Sequence, residues 1–228
     1  DLGAARTLWQ RAGEKYQQAL SIKPDMHEAA YNWGSALAKE ANAIAANDLG
    51  AARTLWQRAG EKYQQALSIK PDDHEAAYNW GAALAAEAEA IAANDLEAAR
   101  TLWQRAGEKY QQALSIKPDK HEAACNWANA LLREHGSLSP NGDAGKQELL
   151  NRAEQLLMQH VEAVPGEVAY NLACVFGRRG DAATCLKWLK VSQTHKTLPD
   201  CEHLKTDTDL DLVRVDPEIA QWLQTVCL

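Results

Sequence analysis

Across DLGAARTLWQRAGEKYQQALSIKPD, the first 25 residues, apolar side chains recur at steps of three and four: Leu2, Ala5, Leu8, Trp9, Ala12, Tyr16, Ala19 and Leu20. That spacing places them on one face of a helix of about 20 residues. Pro24 cannot continue it, because proline has no N–H to donate and its ring collides with the preceding turn. Residues 24–28 read as a stop followed by a start, in which Asp25 and Glu28 predict a capping box. Asp72 with Glu75, and Asp119 with Glu122, repeat it. The next stretch, EAAYNWGSALAKEANAIAAN, predicts an Ala-rich second helix with Gly34 where a neighbour presses on its backbone. Small residues let packed helices approach towards an axial separation of about 8 Å. The helix ends at Asn47 and Asp48, a connection so short that the flanking helices must be antiparallel neighbours.

The same pattern returns with a 47-residue period, since residues 1–47, 48–94 and 95–141 open with nearly the same words. The first two differ at only four positions, Met26/Asp73, Ser35/Ala82, Lys39/Ala86 and Asn42/Glu89, so each repeat must fold alike. A helical hairpin cannot bury its apolar face alone and stacks on its neighbours, which predicts an all-α elongated solenoid. Such a surface suits protein recognition. No cofactor is expected, and the chain is read as a scaffold, not an enzyme.

With 228 residues and 46% apolar composition, the chain can bury a continuous seam. The formal charge of −7 is uneven: repeat one is neutral, repeat two −3 (four basic, seven acidic), repeat three neutral, and residues 142–228 carry −4 (nine basic, thirteen acidic). This excludes a phosphate-tracking role and hence a nucleic-acid partner, because such affinity rests on Lys and Arg. Five cysteines, an odd count without CxxC spacing, predict free thiols in a reducing compartment. No apolar run approaches the roughly 20 residues of a membrane span, so no membrane partner is expected. These features together predict a cytoplasmic location. The chain opens mid-array without Met and reads as a fragment.

The spacing resembles that of the tetratricopeptide repeat. Asn32, Trp33, Gly34 and Leu37 match the first half of that family's pattern, and Ala59, Tyr63, Ala66 and Pro71 the second. The departure is length: Gly34 to Ala59 is 25 residues, where a 34-residue repeat allows about 12. The extra residues fall in the hairpin tip and lengthen both helices. Near the C-terminus, Tyr170, Asn171, Leu172, Ala173, Phe176, Gly180, Cys185 and Leu189 fit a repeat of ordinary length. Ala128 to Ala153 again spans 25 residues, with GSLSPNGDAG, residues 136–145, as an irregular tip.

The resemblance implies a right-handed αα-hairpin solenoid divided as follows: a leading helix over 1–24; lengthened repeats over 25–71, 72–118 and 119–165; an ordinary repeat over 166–199; and an acidic cap over 200–228. It further implies that the first helix of each pair lines a concave groove. Glu28, Tyr31, Asn32 and Ser35 would then face a bound protein or peptide, as would Glu75, Tyr78 and Asn79, and Glu122, Cys125, Asn126 and Asn129. Asn171 extends the asparagine ladder, whose amides can bond a peptide backbone. Some family members grip a C-terminal carboxylate with basic groove residues; Glu28, Glu75 and Glu122 stand there instead and repel one. The ladder suits a ligand with basic and apolar groups. Two rivals to the scaffold are end-to-end self-assembly through the exposed N-terminal helix, giving a homo-oligomer, and service as the regulatory arm of a larger protein.

Other constellations read as structure. His27, His74 and His121 occur once per repeat, about 10 Å or more apart, too far for one zinc ion. Asp207, Asp209, Asp211 and Glu218 imitate a calcium loop, but Leu212 stands where its turn needs Gly. His195, Cys201 and His203 lack a fourth metal ligand. The Trp series 9, 33, 56, 80, 103 and 127 is at core phase.

Overall fold

The computed structural model describes residues 2–138 and 145–227. Among them the ordered elements are all helical, and no helix is long and apolar enough to cross a membrane. The helices are α1 (Leu2–Ile22), α2 (His27–Ile44), α3 (Leu49–Ile69), α4 (His74–Ile91), α5 (Leu96–Ile116), α6 (His121–Ser137), α7 (Gly145–Met158), α8 (Pro165–Arg179), α9 (Ala182–Thr194), α10 (Cys201–Thr206) and α11 (Pro217–Val226). A 3-10 turn, Thr208–Leu210, separates the last two. Neighbouring helices pack as an αα-hairpin solenoid. Two compact units meet after Ala123, in the first turn of α6.

In the first unit α2 pairs with α3 and α4 with α5, while α1 packs on α2 and α3 on α4. Each hairpin turns at its Asn-Asp connection because Asp48 and Asp95 accept from the N–H of Ala51 and Ala98, at 2.9 and 3.0 Å, and so cap α3 and α5. The capping boxes expected at Asp25, Asp72 and Asp119 do not form. α2 and α4 begin one residue later than that reading required, so Met26 and Asp73 hold the N-cap position. Only Asp73 accepts a bond there, from Ala76 N at 3.1 Å.

Close approach within each hairpin is made at a glycine. A Cβ on Gly34 would stand 3.0 Å from the Tyr63 ring and 3.2 Å from the Ala59 carbonyl, and one on Gly81 would stand 2.8 Å from the Tyr110 ring. Tyr63 and Tyr110 are thereby buried. In the third repeat the same register holds Ala128 and Leu157, both buried. A small residue gains a methyl where its large counterpart gives up a ring. The Trp series packs as expected: Trp56, Trp80, Trp103 and Trp127 are buried. Trp56 donates to Asn42 Oδ1 at 2.8 Å. Glu89 replaces that asparagine in the next repeat, and Trp103 Nε1 lies buried with no acceptor among the described residues.

In the second unit α7 packs on α8 and α8 on α9. Gly180 closes α8 with φ +74, a left-handed turn that glycine adopts without steric cost. Asp181 then caps α9. Of the irregular tip expected over 136–145, Gly136 and Ser137 belong to α6 and Gly145 opens α7, while 139–144 lie outside the described residues. The expectation of five free thiols is corrected: Cys201 and Cys227 form a disulfide across α10 and α11, Cα atoms 5.5 Å apart. Cys125, Cys174 and Cys185 are free.

Candidate functional site

Side by side in the first unit, α2 and α4 carry most of the residues expected to meet a partner. Asn79 donates both amide hydrogens within the protein, to the Tyr31 hydroxyl at 3.0 Å and to the Glu75 carbonyl at 3.0 Å. Tyr31 leans on Tyr63 with ring centroids 6.2 Å apart, and Tyr78 on Tyr110 at 6.0 Å. Tyr63 in turn donates to Ser35 Oγ at 3.2 Å. Burial pushes the Tyr31 hydroxyl upward, the Ser35 bond opposes it, and the charges of Glu75 and Asp73 push the same way as burial. The asparagine of one helix thus fastens the tyrosine of the helix before it. Asn32 has no following tie of this kind and is exposed.

The three glutamates differ sharply in freedom. Glu28 is 65% exposed and touches only His27, at 3.2 Å. Glu75 is held by Lys120 at 2.9 Å and by His74 at 3.3 Å. The Lys120 side chain is only 9% exposed and rests 4.6 Å from the centre of the Tyr78 ring. Burial pulls its pKa down, but the Glu75 pair outweighs that and holds the ammonium above its ordinary value. Glu122, exposed, lies 3.9 Å from His121. The histidines are therefore near-surface neighbours of these carboxylates. Lys120 replaces Met26 and Asp73 of the earlier repeats, so the acid ladder is neutralised at its middle rung.

In the second unit Asn171 donates to Asn129 Oδ1 at 2.7 Å and to the Cys125 carbonyl at 3.4 Å. Asn126 is half-buried and Asn129 exposed. Tyr170 stands in α8 where Tyr31 stands in α2, and its hydroxyl donates to Asp207 Oδ2 at 2.6 Å. The chain beyond α9 therefore supplies a carboxylate to the tyrosine that a further helix would otherwise have reached with an asparagine.

Each carboxylate of the acidic run has its own place. Asp207 also accepts from Asp209 N at 2.9 Å, Asp209 pairs with Arg178 at 2.6 Å, Asp211 pairs with Arg214, and Glu218 lies in the first turn of α11. No calcium loop is assembled from them. Ligand atoms of Cys174, Asp207 and Asp209 lie within 4.8 Å of one another, yet burial holds the Cys174 thiol well above its ordinary pKa, in the protonated form that binds metal poorly. Cys201 is taken by its disulfide and so leaves the loose His195, Cys201 and His203 grouping.

Sequence reasoning missed a repeated buried carboxylate. Glu40, Glu87 and Glu134 occupy one register, with side chains in the core side of α2, α4 and α6. Arg6 reaches Glu40 at 3.2 Å, and Arg53 reaches Glu87 at 3.5 Å. Burial pushes the Glu87 carboxyl up, and Arg53 and Arg105 pull it back. The signal was present, since an Arg and a Glu recur at 47-residue intervals among helices otherwise rich in Ala.

Residues 68–178, just under half the chain, match the family profile described as plant-specific mitochondrial import receptor subunit TOM20. The matched stretch runs from the last residues of α3 to the end of α8. No curated protein gives a match. The matching family is a receptor subunit, a helical protein-binding class and not an enzyme class. It is also mitochondrial, which overturns the expectation of a cytoplasmic location.

Proposed function

We propose that this chain is a tetratricopeptide-like receptor scaffold that holds a polypeptide segment against the exposed side of α2 and α4. The likeness of residues 68–178 to an import receptor subunit supports this reading. So does the chemistry of the face: an exposed carboxylate at Glu28, an amide at Asn32, and the half-buried rings of Tyr31 and Tyr78. Acid beside aromatic rings attracts a cationic side chain through both charge and the ring quadrupole. The segment that fits is basic and apolar. Glu75 and Asn79 hold the face together, while Glu28, Asn32, Glu122 and Asn129 are the groups free to meet a ligand; Asn126 and Asn171 support the corresponding helices of the second unit.

The test is fluorescence anisotropy with a labelled amphipathic peptide of alternating Leu and Lys character. Glu28→Lys with Glu122→Lys is expected to weaken binding at least about tenfold, each lost charge contact contributing about 1 kcal/mol. Glu75→Lys is unsuitable, because it sets two ammonium groups together in a nearly buried position. Unchanged binding by the double variant, with unchanged helicity, would remove this face from the proposal. A second reading, self-association through α1, is favoured by Leu8, 64% exposed although its counterpart Leu55 in α3 is buried. Sedimentation at two concentrations separates the two.

A further inference from the structure

The halves of α3, α4 and α5 nearest the hairpin tips enclose a groove of about 980 Å³. Arg53 and Gln57 of α3 form one wall, Arg105 of α5 the other, and Trp80, Leu84 and Glu87 of α4 the floor. Both α3 and α5 pack on α4, so the lengthened ends stand as two ridges over a helix floor. Gly60 keeps one wall low: a Cβ there would meet Trp80 Nε1 at 3.0 Å. This groove lies among different residues from those of the α2 and α4 face described above.

Its charges are arranged unequally. Glu87 is largely buried and lies 3.5 Å from Arg53 Nε, which leaves the terminal nitrogens of that guanidinium available. Arg105, on the far wall, is exposed and has no ion-pair partner among the described residues. Two guanidinium groups therefore stand over one carboxylate in a repeat whose overall charge is −3. The other side of the Trp80 ring is occupied by Lys109, its Nζ 3.8 Å from the ring centre. A second cation entering here would be repelled by three neighbours, whereas a carboxylate can take the planar, two-pronged bonding that guanidinium offers. The apolar floor of Trp80 and Leu84 suits an aliphatic or aromatic side chain beside that carboxylate.

We infer that the groove between α3 and α5 is a second binding site, for an acidic peptide segment that places a carboxylate between Arg53 and Arg105 and an apolar side chain on Trp80 and Leu84. The lengthened helices then have a function of their own: they build a site of opposite charge preference to the α2 and α4 face. One scaffold can hold a basic and an acidic segment together, and linking two modest contacts raises overall affinity without either becoming strong.

The whole chain would be titrated with three labelled peptides of one length and Leu pattern, whose polar positions are Glu, Gln or Lys. The Leu/Glu peptide is expected to bind more tightly than the Leu/Gln peptide, and Arg105→Glu to weaken it at least tenfold while leaving the Leu/Lys peptide within twofold. Arg105 is exposed, so helicity and melting should be retained; Arg105→Lys, which keeps charge but loses the planar fork, should give an intermediate loss. Equal affinity for the Glu and Gln peptides, or no response to Arg105→Glu, overturns the inference. A dimer broken by the same substitution overturns it too, by assigning the groove to a second copy. Because the Leu/Lys peptide reports on Glu28 and the Leu/Glu peptide on Arg105, the two sites fail or survive separately.

Discussion

Gly81→Ala is expected to destabilise the first unit by about 2 kcal/mol, even though alanine is the better helix former by about 1 kcal/mol. The added methyl would stand 2.8 Å from two atoms of the Tyr110 ring, and that ring is 1% exposed with nowhere to retreat. Overpacking therefore wins over propensity. Tyr110→Leu alone should also cost about 2 kcal/mol, from lost ring contacts and the space left behind. Combined, the two recreate the Ala128 and Leu157 combination of the third repeat. The double variant should lose less than the sum by more than about 1 kcal/mol, the sign of residues that share one space. Urea unfolding of the four chains measures it. Strict additivity would show that glycine is there for some reason other than the tyrosine.

Arg178→Met should destabilise the second unit by about 3 kcal/mol, because it abandons a buried carboxylate. Arg178 and Asp209 side chains are 19% and 10% exposed and meet at 2.6 Å. Burial already pushes Asp209 above its ordinary pKa, with Arg178 pulling it back and Asp207 pushing it further up. Without Arg178 its folded-state pKa rises again above the unfolded value. The folded state then binds a proton that the unfolded chain releases, so the deficit is greatest near neutral pH and shrinks as pH falls through the raised value. Melting at pH 7 and pH 5 should show that convergence. Arg178→Met with Asp209→Asn should recover much of the loss at pH 7, since an amide needs no counter-charge. A deficit independent of pH would assign the cost to lost packing of the arginine stem instead.

The helices, their order and their pairing could be read from the chain because 3.6-residue periodicity and proline act locally. α1 ends at Ile22, two residues before Pro24, and the Asn-Asp connections turn where the pattern stops. Gly34 was legible as a close crossing for the same reason. The capping boxes were not: a one-residue shift of the helix start moved the cap from Asp25 and Asp72 to Met26 and Asp73. Helix ends are decided by small energies that neighbours tip. The cysteine pairing escaped too, since 26 residues separate Cys201 from Cys227 and only the fold of α10 and α11 brings them together.

The candidate site shows the same division. Tyr31, Asn79 and Glu75 could be placed on one face by period, but period says nothing about what each atom bonds. Only the tertiary structure decided that Asn79 gives its hydrogens to Tyr31 and Glu75, that Lys120 quenches Glu75, and that Asp207 completes Tyr170. The groove over Glu87 likewise exists only where three helices diverge. By itself the sequence determined an all-helical hairpin array, because backbone propensity and apolar spacing are properties of short segments. Which charges remain free for a partner depended on contacts across 31 to 48 residues of chain, and such contacts form only when separate helices are packed.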